Sequence, residues 1–557
     1  MGTAVLQEIE AYDVKYMPIV RAYAEKIGLV EIVNRLVPSE MDVEPGHMVL
    51  AMILDTLTGR SPLYHLESFF ESQDIELLLG KRYGAKSFND DNLARYLDKI
   101  FDAGTMKIFT EVAISAVRVF SLEKRYVHFD TTSLMVHGDY DPHADDPFVI
   151  TFGHSKDHRP DLKQFVLSML CVDGNVPIFG NTEDGNSSDK TLNNVILSEI
   201  SCRMAKHGLG TGAYIYVADS AFVTETNLQT LEGTLFITRL PSTYNECGRA
   251  ITEAVTGNAW QDLGRIAKTE PTKNRPGTFY KVHETEVSLY GKSYRAVVVH
   301  SSAHDKRRQK RIDRELKEDR KIVQSLMGDE ASREYFCRPD AEAAAERLSK
   351  LQSKYHDLSI EILEQPKYAR GRPKNGEPRQ VKEIHYALAV VPREKTEAVA
   401  TKREEAGCFV LLSNVPKEGE LAHTEAEILK VYKEQHGIEQ NFAFLKDPVI
   451  VNSIFIKKPH RIEALGLVLL LALLIWRLME RSLRKHVETS KTKLTGLNKR
   501  LTDSPTSYMI TKMFSSVMVI KAGNQRKLAR PLSHDQYDYL RALDLNFKIF
   551  TIPKPPG

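Results

Sequence analysis

The chain has 557 residues, a length that is typical of roughly three or four domains. Apolar residues make up 42% of it, an ordinary share for a globular protein that buries a core. With 76 Lys and Arg against 74 Asp and Glu, the formal net charge is +2, so overall charge neither favours nor excludes nucleic acid as a partner.

The five cysteines argue against a disulfide framework and against a zinc knuckle. They are scattered, odd in number and form no Cys-x-x-Cys pair. The first twenty residues lack a basic segment followed by an apolar core, as a signal peptide would have. These features predict a protein of the reducing cytoplasm.

Residues 1–120 predict a helical N-terminal domain. The segments "PGHMVLAMILDTLTG" and "LYHLESFFESQDIELLLG" carry apolar residues at three- and four-residue spacing, and a glycine closes each. No helix-turn-helix signature decides between a DNA-binding domain and a plain helical bundle.

Residues 121–241 have a sequence pattern that predicts mainly strands. "RYVHFDTTSLMV" predicts a strand through Asp130, and "KQFVLSMLCVDGNVPIFGNTEDG" predicts two strands around a turn at Asp173. An amphipathic helix ending at Gly208 follows, then a buried strand "AYIYVADSAF" ending at Asp219, a short helix, and a last strand "TLFITRL". This order matches a ribonuclease H-like fold, a mixed α/β sheet between helices.

Residues 242–420 predict an insertion of strands and charged helices. "TFYKVHETEVSLYGKSYRAVVVHSS", "IHYALAVV" and "GCFVLLSNV" have strand character. "KRRQKRIDRELKEDRKIVQSL" and "DAEAAAERLSKLQSKYHDLSIEILEQ" predict helices, and "YARGRPKNGEPR" predicts a basic loop. Residues 121–241 would be the first part of a ribonuclease H-like catalytic core, and residues 421–480 its remainder. Residues 481–557 predict C-terminal helices and a tail.

The run Ala464 to Met479, "ALGLVLLLALLIWRLM", imitates a membrane span. It has sixteen residues between charged flanks, whereas a span needs about 20 apolar residues. Its length favours a buried core helix and predicts no membrane association.

Three carboxylates lie on predicted elements that the fold could bring close together. Asp130 lies within an apolar strand, where a charge is costly unless it is paired or bound to metal. Asp219 ends a later strand, a position that is often only a turn or cap. Glu439 lies on a helix whose apolar neighbours are most simply core packing. The three together, in this order, favour a site over these separate structural roles.

The stretch "YKEQHGIEQNFAFLK" carries a more specific pattern, with Tyr432, Gln435, Glu439 and Lys446 on one helix face. With "FDTTSL", "ADSAF" and "GHSKDHRPDLKQ", it resembles the DDE transposases of bacterial insertion sequences, in the branch marked by Tyr-x2-Arg-x3-Glu-x6-Lys. The spacing is complete, but Gln435 replaces the arginine and would lose a bidentate phosphate contact. The resemblance covers roughly residues 60–480.

The resemblance implies metal-dependent cleavage at transposon ends and strand transfer, as in cut-and-paste transposition. Asp130, Asp219 and Glu439 would bind two Mg²⁺ ions, with Mn²⁺ as a substitute, and carry catalysis. Tyr432, Gln435 and Lys446 would contact double-stranded DNA, both terminal inverted repeats and target, in a homodimer. Whether cleavage passes through a DNA hairpin stays open, as does the aromatic that would hold a flipped base.

Further basic residues are weaker DNA-binding candidates. Arg370 and Arg372 belong to "RGRP", similar to the core of a hook that enters narrow A·T minor grooves, and a flexible loop is an equal alternative. Lys156 precedes the second strand, where ordinary loop polarity competes with DNA contact. Two other functions remain open: a stand-alone nuclease of the same fold, and an inactive or domesticated DNA-binding regulator.

Overall fold

The structure is a computed structural model. It describes residues 9–58, 65–154, 159–173, 175–188, 192, 196–197, 202, 204–208, 210, 213–231, 233–267, 271, 276–351, 353–371, 378–447 and 456–553, with residue 329 by its backbone alone. The chain divides into two compact units. The first comprises Met1–Thr238 with Lys430–Gly557, and the second comprises Arg239–Leu429.

Helices form most of the first unit and alternate with strands in the second. In chain order the helices of the described residues are α1 Met17–Lys26, α2 Leu29–Leu36, α3 Pro45–Thr58, α4 Leu66–Glu71, α5 Ile75–Leu79, α6 Asp90–Ala103, α7 Thr105–Phe120, α8 Glu225–Thr230, α9 Asn245–Gly257, α10 Ser302–Met327, α11 Arg338–Ser349, α12 Thr396–Glu405, α13 Glu425–Glu434, α14 His436–Lys446, α15 Pro459–Ser490, α16 Ser507–Met513 and α17 His534–Ala542.

Strands are present in both units. Within the described residues they are β1 Ile9–Tyr12, β2 Tyr126–Val136, β3 Lys163–Val172, β4 Val176–Glu183, β5 Ile215–Val217, β6 Leu235–Leu240, β7 Gln261–Arg265, β8 Phe279–Leu289, β9 Lys292–Ser301, β10 Glu334–Tyr335, β11 His356–Tyr368, β12 Val381–Glu394, β13 Cys408–Ser413, β14 Leu494–Thr495, β15 Leu501–Thr502, β16 Val519–Ala522 and β17 Gln525–Leu528.

The sheet of the first unit is mixed, which confirms the predicted α/β class. Its strands run in the order β4-β3-β2-β5-β6. β2 is antiparallel to β3, and β3 is antiparallel to β4. On its other edge β2 is parallel to β5, which is parallel to β6. The strand predicted to carry Asp130 is therefore central, with buried neighbours on both sides.

The long helix α15 forms the core of the first unit. Its most apolar window of 18 residues is 94% buried, so the helix packs inside the protein. It contacts α3, α6, α7 and β4. A Cβ at Gly180 on β4 would lie 2.6 Å from Leu470, so only glycine allows this close approach. The sequence prediction of a buried helix is confirmed.

The two ends of the chain also meet in the first unit. β1 pairs with β16, and β16 pairs with β17. Arg526 on β17 is buried and donates to Asp74 at 2.6 Å and to Glu76 at 2.8 Å. These contacts fix the C-terminal segment against the first helices.

The second unit contains two antiparallel sheets. One has its strands in the order β13-β9-β8-β7, and the other in the order β10-β12-β11. The predicted strands "TFYKVHETEVSLYGKSYRAVVVHSS" and "GCFVLLSNV" are confirmed as β8, β9 and β13, and "KRRQKR" lies on the long helix α10.

One predicted helix of the second unit is wrong in its second half. α11 ends at Ser349, and the residues from His356 form β11. There Leu358, Ile360 and Ile362 alternate with polar residues at the strand period of two, and they pack on one side of the sheet. The predicted helix ending at Gly208 lies mostly outside the described residues.

Candidate functional site

Asp130 and Asp219 each stand two residues beyond the last paired residues of the neighbouring strands β2 and β5. Tyr126, Val127 and His128 of β2 pair with Ile215, Tyr216 and Val217 of β5 in parallel register. Continuing that register by two residues on each strand, beyond the end of β5 at Val217, would bring Asp130 opposite Asp219. The backbone at Asp219 is still extended, with φ of −75° and ψ of −179°. Both side chains therefore project from one face of the sheet.

Local hydrogen bonds orient the two carboxylates. Asp130 accepts from the backbone N–H of Thr131 at 2.8 Å, and Asp219 accepts from that of Ala221 at 3.0 Å. Both side chains are partly exposed. Burial raises the pKa of Tyr216 well above its ordinary value, and the negative charges of Asp219 and Asp130 raise it further. Both carboxylates are therefore within electrostatic reach of one buried hydroxyl.

The helix α14, which carries Glu439, packs on the same face of the sheet. Asn441 donates to Asn175 O at 2.9 Å, and its amide lies 3.2 Å from the sulfur of Cys171 and 3.6 Å from that of Met169. Met169 is the cross-strand partner of Asp130, and directly opposed residues share a face. Glu439 precedes Asn441 by two residues, about 3 Å along the helix axis, and points to roughly the opposite side of the helix from Asn441.

The Glu439 carboxylate is exposed and paired with a neighbour. Its Oε2 lies 2.7 Å from His436 Nδ1, and the two side chains are 66% and 70% exposed. Such an exposed pair contributes little energy, so rotating Glu439 away from His436 costs little. Among the described residues, no group of three or more His, Cys, Asp or Glu is gathered for a metal ion. The structure brings Asp130 and Asp219 together but leaves Glu439 facing solvent.

A buried polar network fixes α14 in place. Arg477, on α15, donates to Asn441 Oδ1 at 2.5 Å and to Glu480 at 3.0 Å. All three side chains are at least 95% buried. Buried polar groups must find partners, and one guanidinium here satisfies an amide and a carboxylate. The network therefore ties α14 to α15 and, through Asn441, to β3.

Gly437 allows α14 to approach the β3–β4 turn. A Cβ at this position would collide with the side-chain amide of Asn175. Asn175 is itself held in the left-handed region, with φ of 68°. The glycine two residues before Glu439 is thus a requirement of packing.

The other residues of the Tyr-Gln-Glu-Lys pattern differ in exposure. α13 and α14 meet at Gln435, whose helical φ of −55° and ψ of −27° keep the path nearly continuous. Gln435 is only 7% exposed, so it presents little surface to a phosphate. Tyr432 and Lys446 are half-buried and have local interactions of their own. The predicted common face is thus a flank of the helix rather than a fully open surface.

The weaker DNA-binding candidates are placed only in part. Arg370 follows β11 and is exposed, whereas Lys156 and Arg372 lie outside the described residues. Among the aromatic candidates, Phe409 lies 5.1 Å below the Arg239 guanidinium, and Trp476 packs against Phe444.

Sequence reasoning missed Asn441, Arg477 and Glu480. The signal was present: Asn441 interrupts the apolar stripe of α14, and Arg477 and Glu480 stand at the end of the most apolar run of the chain. Polar residues on a face that must be buried predict partners inside the core. Their pairing with one another required the tertiary structure.

One family model matches part of the chain. The family model described as "Domain of unknown function (DUF4277)" matches residues 9–114, which form the N-terminal helices of the first unit. No curated protein matches the chain. The matched family has no known function, so the function must be argued from the site.

Proposed function

We propose that this protein is a DNA transposase of the DDE type, which cleaves transposon ends and joins them to target DNA. The single observation that carries the proposal is the parallel register of β2 and β5, whose last paired residues each stand two positions before Asp130 and Asp219. The strand order β4-β3-β2-β5-β6 supports a ribonuclease H-like core, in which the central strand carries the first carboxylate. α14, which carries Glu439, packs on the same face of the sheet and supplies the third carboxylate of this proposal.

The residues fit divalent metal ions in part. Oxygen ligands suit Mg²⁺, and two neighbouring carboxylates repel one another unless a cation lies between them. Asp130 and Asp219 would supply these ligands, and Glu439 would complete the set only if its side chain turned away from His436. Bound metal would activate the attacking water or 3′-hydroxyl and stabilise the leaving oxygen. The chain itself fixes the ligand positions through β2, β5 and the anchored helix α14.

The flank of α13 and α14 supplies the DNA contacts in this proposal. Tyr432 and Lys446 lie on the same side of the helical path as Glu439, so a strand held by Glu439 would run past both. Gln435 lies between them but is buried, and it would serve packing before it served DNA. Phosphate contacts from this flank would position the scissile strand without reading its sequence.

The test uses the full-length protein and a plasmid carrying the DNA that flanks its coding region, with inverted repeats. We expect Mg²⁺-dependent cleavage at the repeats by the wild-type protein and none by Asp130→Ala or Asp219→Ala. The matched control is Asp262→Ala, because Asp262 is also on a strand, is exposed and caps only Gly264. Cleavage by Asp130→Ala would overturn the proposal.

The same assay separates the two alternatives. A nuclease would cut the plasmid but would not join the released 3′-end to a target. A regulator would bind the repeats without cutting them at any metal concentration. Joined products recovered with wild-type protein alone would therefore support transposition over both.

A further inference from the structure

The second unit contains a long two-stranded ribbon whose outer half has no core. β11 and β12 pair in antiparallel register from His356 with Glu394 to Lys367 with Glu383. At its base, Ala341, Ala344 and Leu348 of α11 pack against the strands, in a cluster with Tyr335 and Leu388.

Beyond this base the ribbon is exposed. Every residue from Leu363 to Tyr368 is exposed, as is every residue from Val381 to Ile384. Six residues of antiparallel strand span about 20 Å. An isolated two-stranded hairpin is marginal in water, so a ribbon without a packed face indicates a surface that meets a partner.

The charge of the ribbon indicates an anionic partner. Residues 365–385 contain six Lys or Arg and two Glu, whereas the whole chain has a formal net charge of only +2. Lys367 pairs with Glu334 at 2.5 Å, and Lys382 lies 3.8 Å from Glu383. Arg370 and Arg379 make no ion pair within the part of the chain that the structure describes. Arg372 and Lys374 add to the charge in the sequence between them.

The geometry of this end also suits a nucleic acid. Ala369 N donates to Gln380 O at 3.0 Å, which closes the ribbon beside Arg370. The Arg379 guanidinium lies 6.0 Å from the ring centroid of Tyr368, which orients it across the strands. A two-stranded ribbon is narrow enough to enter the major groove of B-DNA, and its arginines can bind phosphates on either side.

We propose that the outer part of β11 and β12, with Arg370 and Arg379 at its end, is an arm that binds duplex DNA. The inference rests on the proposed function for the identity of the partner, but it assigns binding to a surface that takes no part in cleavage. Because its cations are exposed, the arm contributes affinity that depends on salt rather than a fixed catalytic geometry.

The test compares two full-length double variants by fluorescence anisotropy on a short duplex over a salt series. Arg370→Ala with Arg379→Ala removes two cations from the end of the arm. Arg347→Ala with Lys350→Ala removes two exposed cations at the C-terminal end of α11, where they pair with Glu330 and Glu346. We expect the arm variant to bind roughly tenfold more weakly near physiological salt and to lower the salt slope by about two units. The α11 variant should match wild type.

Two results would overturn the arm. One is wild-type affinity and salt slope in the arm variant, and the other is an equal loss in both variants, which would assign the effect to net charge. A charge-reversal variant, Arg370→Glu with Arg379→Glu, should weaken DNA binding further. Unchanged binding by this variant would refute the arm even if the alanine substitutions have only a small effect on affinity. A protein partner in place of DNA would appear as an altered sedimentation of the arm variant with unaltered DNA binding.

Failure of the arm and failure of the proposed function give different results. Cleavage that needs Asp130, together with binding that ignores Arg370 and Arg379, refutes only the arm. Binding that needs the arm, in a wild-type protein that cuts nothing, refutes only the transposase proposal.

Discussion

The sheet of the first unit and the ribbon of the second hold charged side chains in opposite ways. Asp130 stands on a central strand, with neighbours on both edges and a helix on its face. Arg370 stands at the end of a ribbon that is exposed on both faces. A packed surrounding fixes the position of a charge, whereas solvent leaves it free and screened. The first region can therefore hold charged groups at fixed positions, and the second can attract an oppositely charged partner over a distance.

The largest expected effect tests whether Glu439 acts together with Asp130, whose position is fixed by packing, although Glu439 itself is exposed. Glu439→Gln should abolish metal-dependent cleavage at every salt concentration, because a missing ligand is not replaced by charges elsewhere. The control is His436→Ala, which removes the exposed partner at 2.7 Å and should leave cleavage intact. Plasmid cleavage over a salt series measures both. Normal cleavage by Glu439→Gln would mean that Glu439 is a solvated helix residue and not a metal ligand.

The next effect concerns a buried charge without a partner. Asp55 on α3 is fully buried, neither of its oxygens has a hydrogen-bond partner among the described residues, and burial raises its pKa to about 7. The folded carboxyl thus keeps its proton to higher pH than the unfolded one. The free energy of unfolding therefore falls as the pH rises from about 4 to about 7, and it stays lowered above that.

Asp55→Asn should remove this dependence. Between pH 5 and pH 8 the wild type should lose about 3 kcal/mol of stability that the variant keeps. Thermal unfolding at the two pH values measures the difference, with the exposed Asp102→Asn as control. Parallel pH profiles for wild type and Asp55→Asn would mean that Asp55 has a partner in solution.

A third effect tests the packing that positions α14. Gly437→Ala should cost about 1–3 kcal/mol of stability and should slow cleavage, since the new methyl group meets Asn175. Adding Asn175→Gly should restore both, because its φ of 68° suits glycine. Gly248→Ala is the control, as no atom lies within 4 Å of its Cβ position. A Gly437→Ala protein with wild-type melting temperature and activity would show that α14 does not depend on this approach.

The smallest effect is expected at Lys446, which ends α14. Lys446→Ala should weaken binding of the transposon end and lower its salt slope by about one unit, with the deficit shrinking at low salt. The exposed Lys430 on α13 provides the control substitution. Electrophoretic shift across a salt series measures both, and an unchanged slope would leave Lys446 as a structural residue.

Local pattern in the sequence determined the elements. The alternation and β-branched residues around Asp130 predict β2, and the apolar run from Ala464 to Met479 predicts a buried helix, because side-chain periodicity follows directly from backbone geometry. The same logic failed after His356, where the run from Leu358 to Ile362 fits a strand better than the helix predicted there. The choice depended on a partner strand that lies further along the chain.

Tertiary structure alone decided which side chains meet. The sequence placed Asp130 and Asp219 on separate strands, but only the parallel register of β2 and β5 sets them side by side. Likewise Gln435, on the predicted DNA-contacting face, is buried at the junction of α13 and α14, and Glu439 faces His436. Register, helix docking and burial are set by packing between segments distant in sequence, so no local pattern contains them.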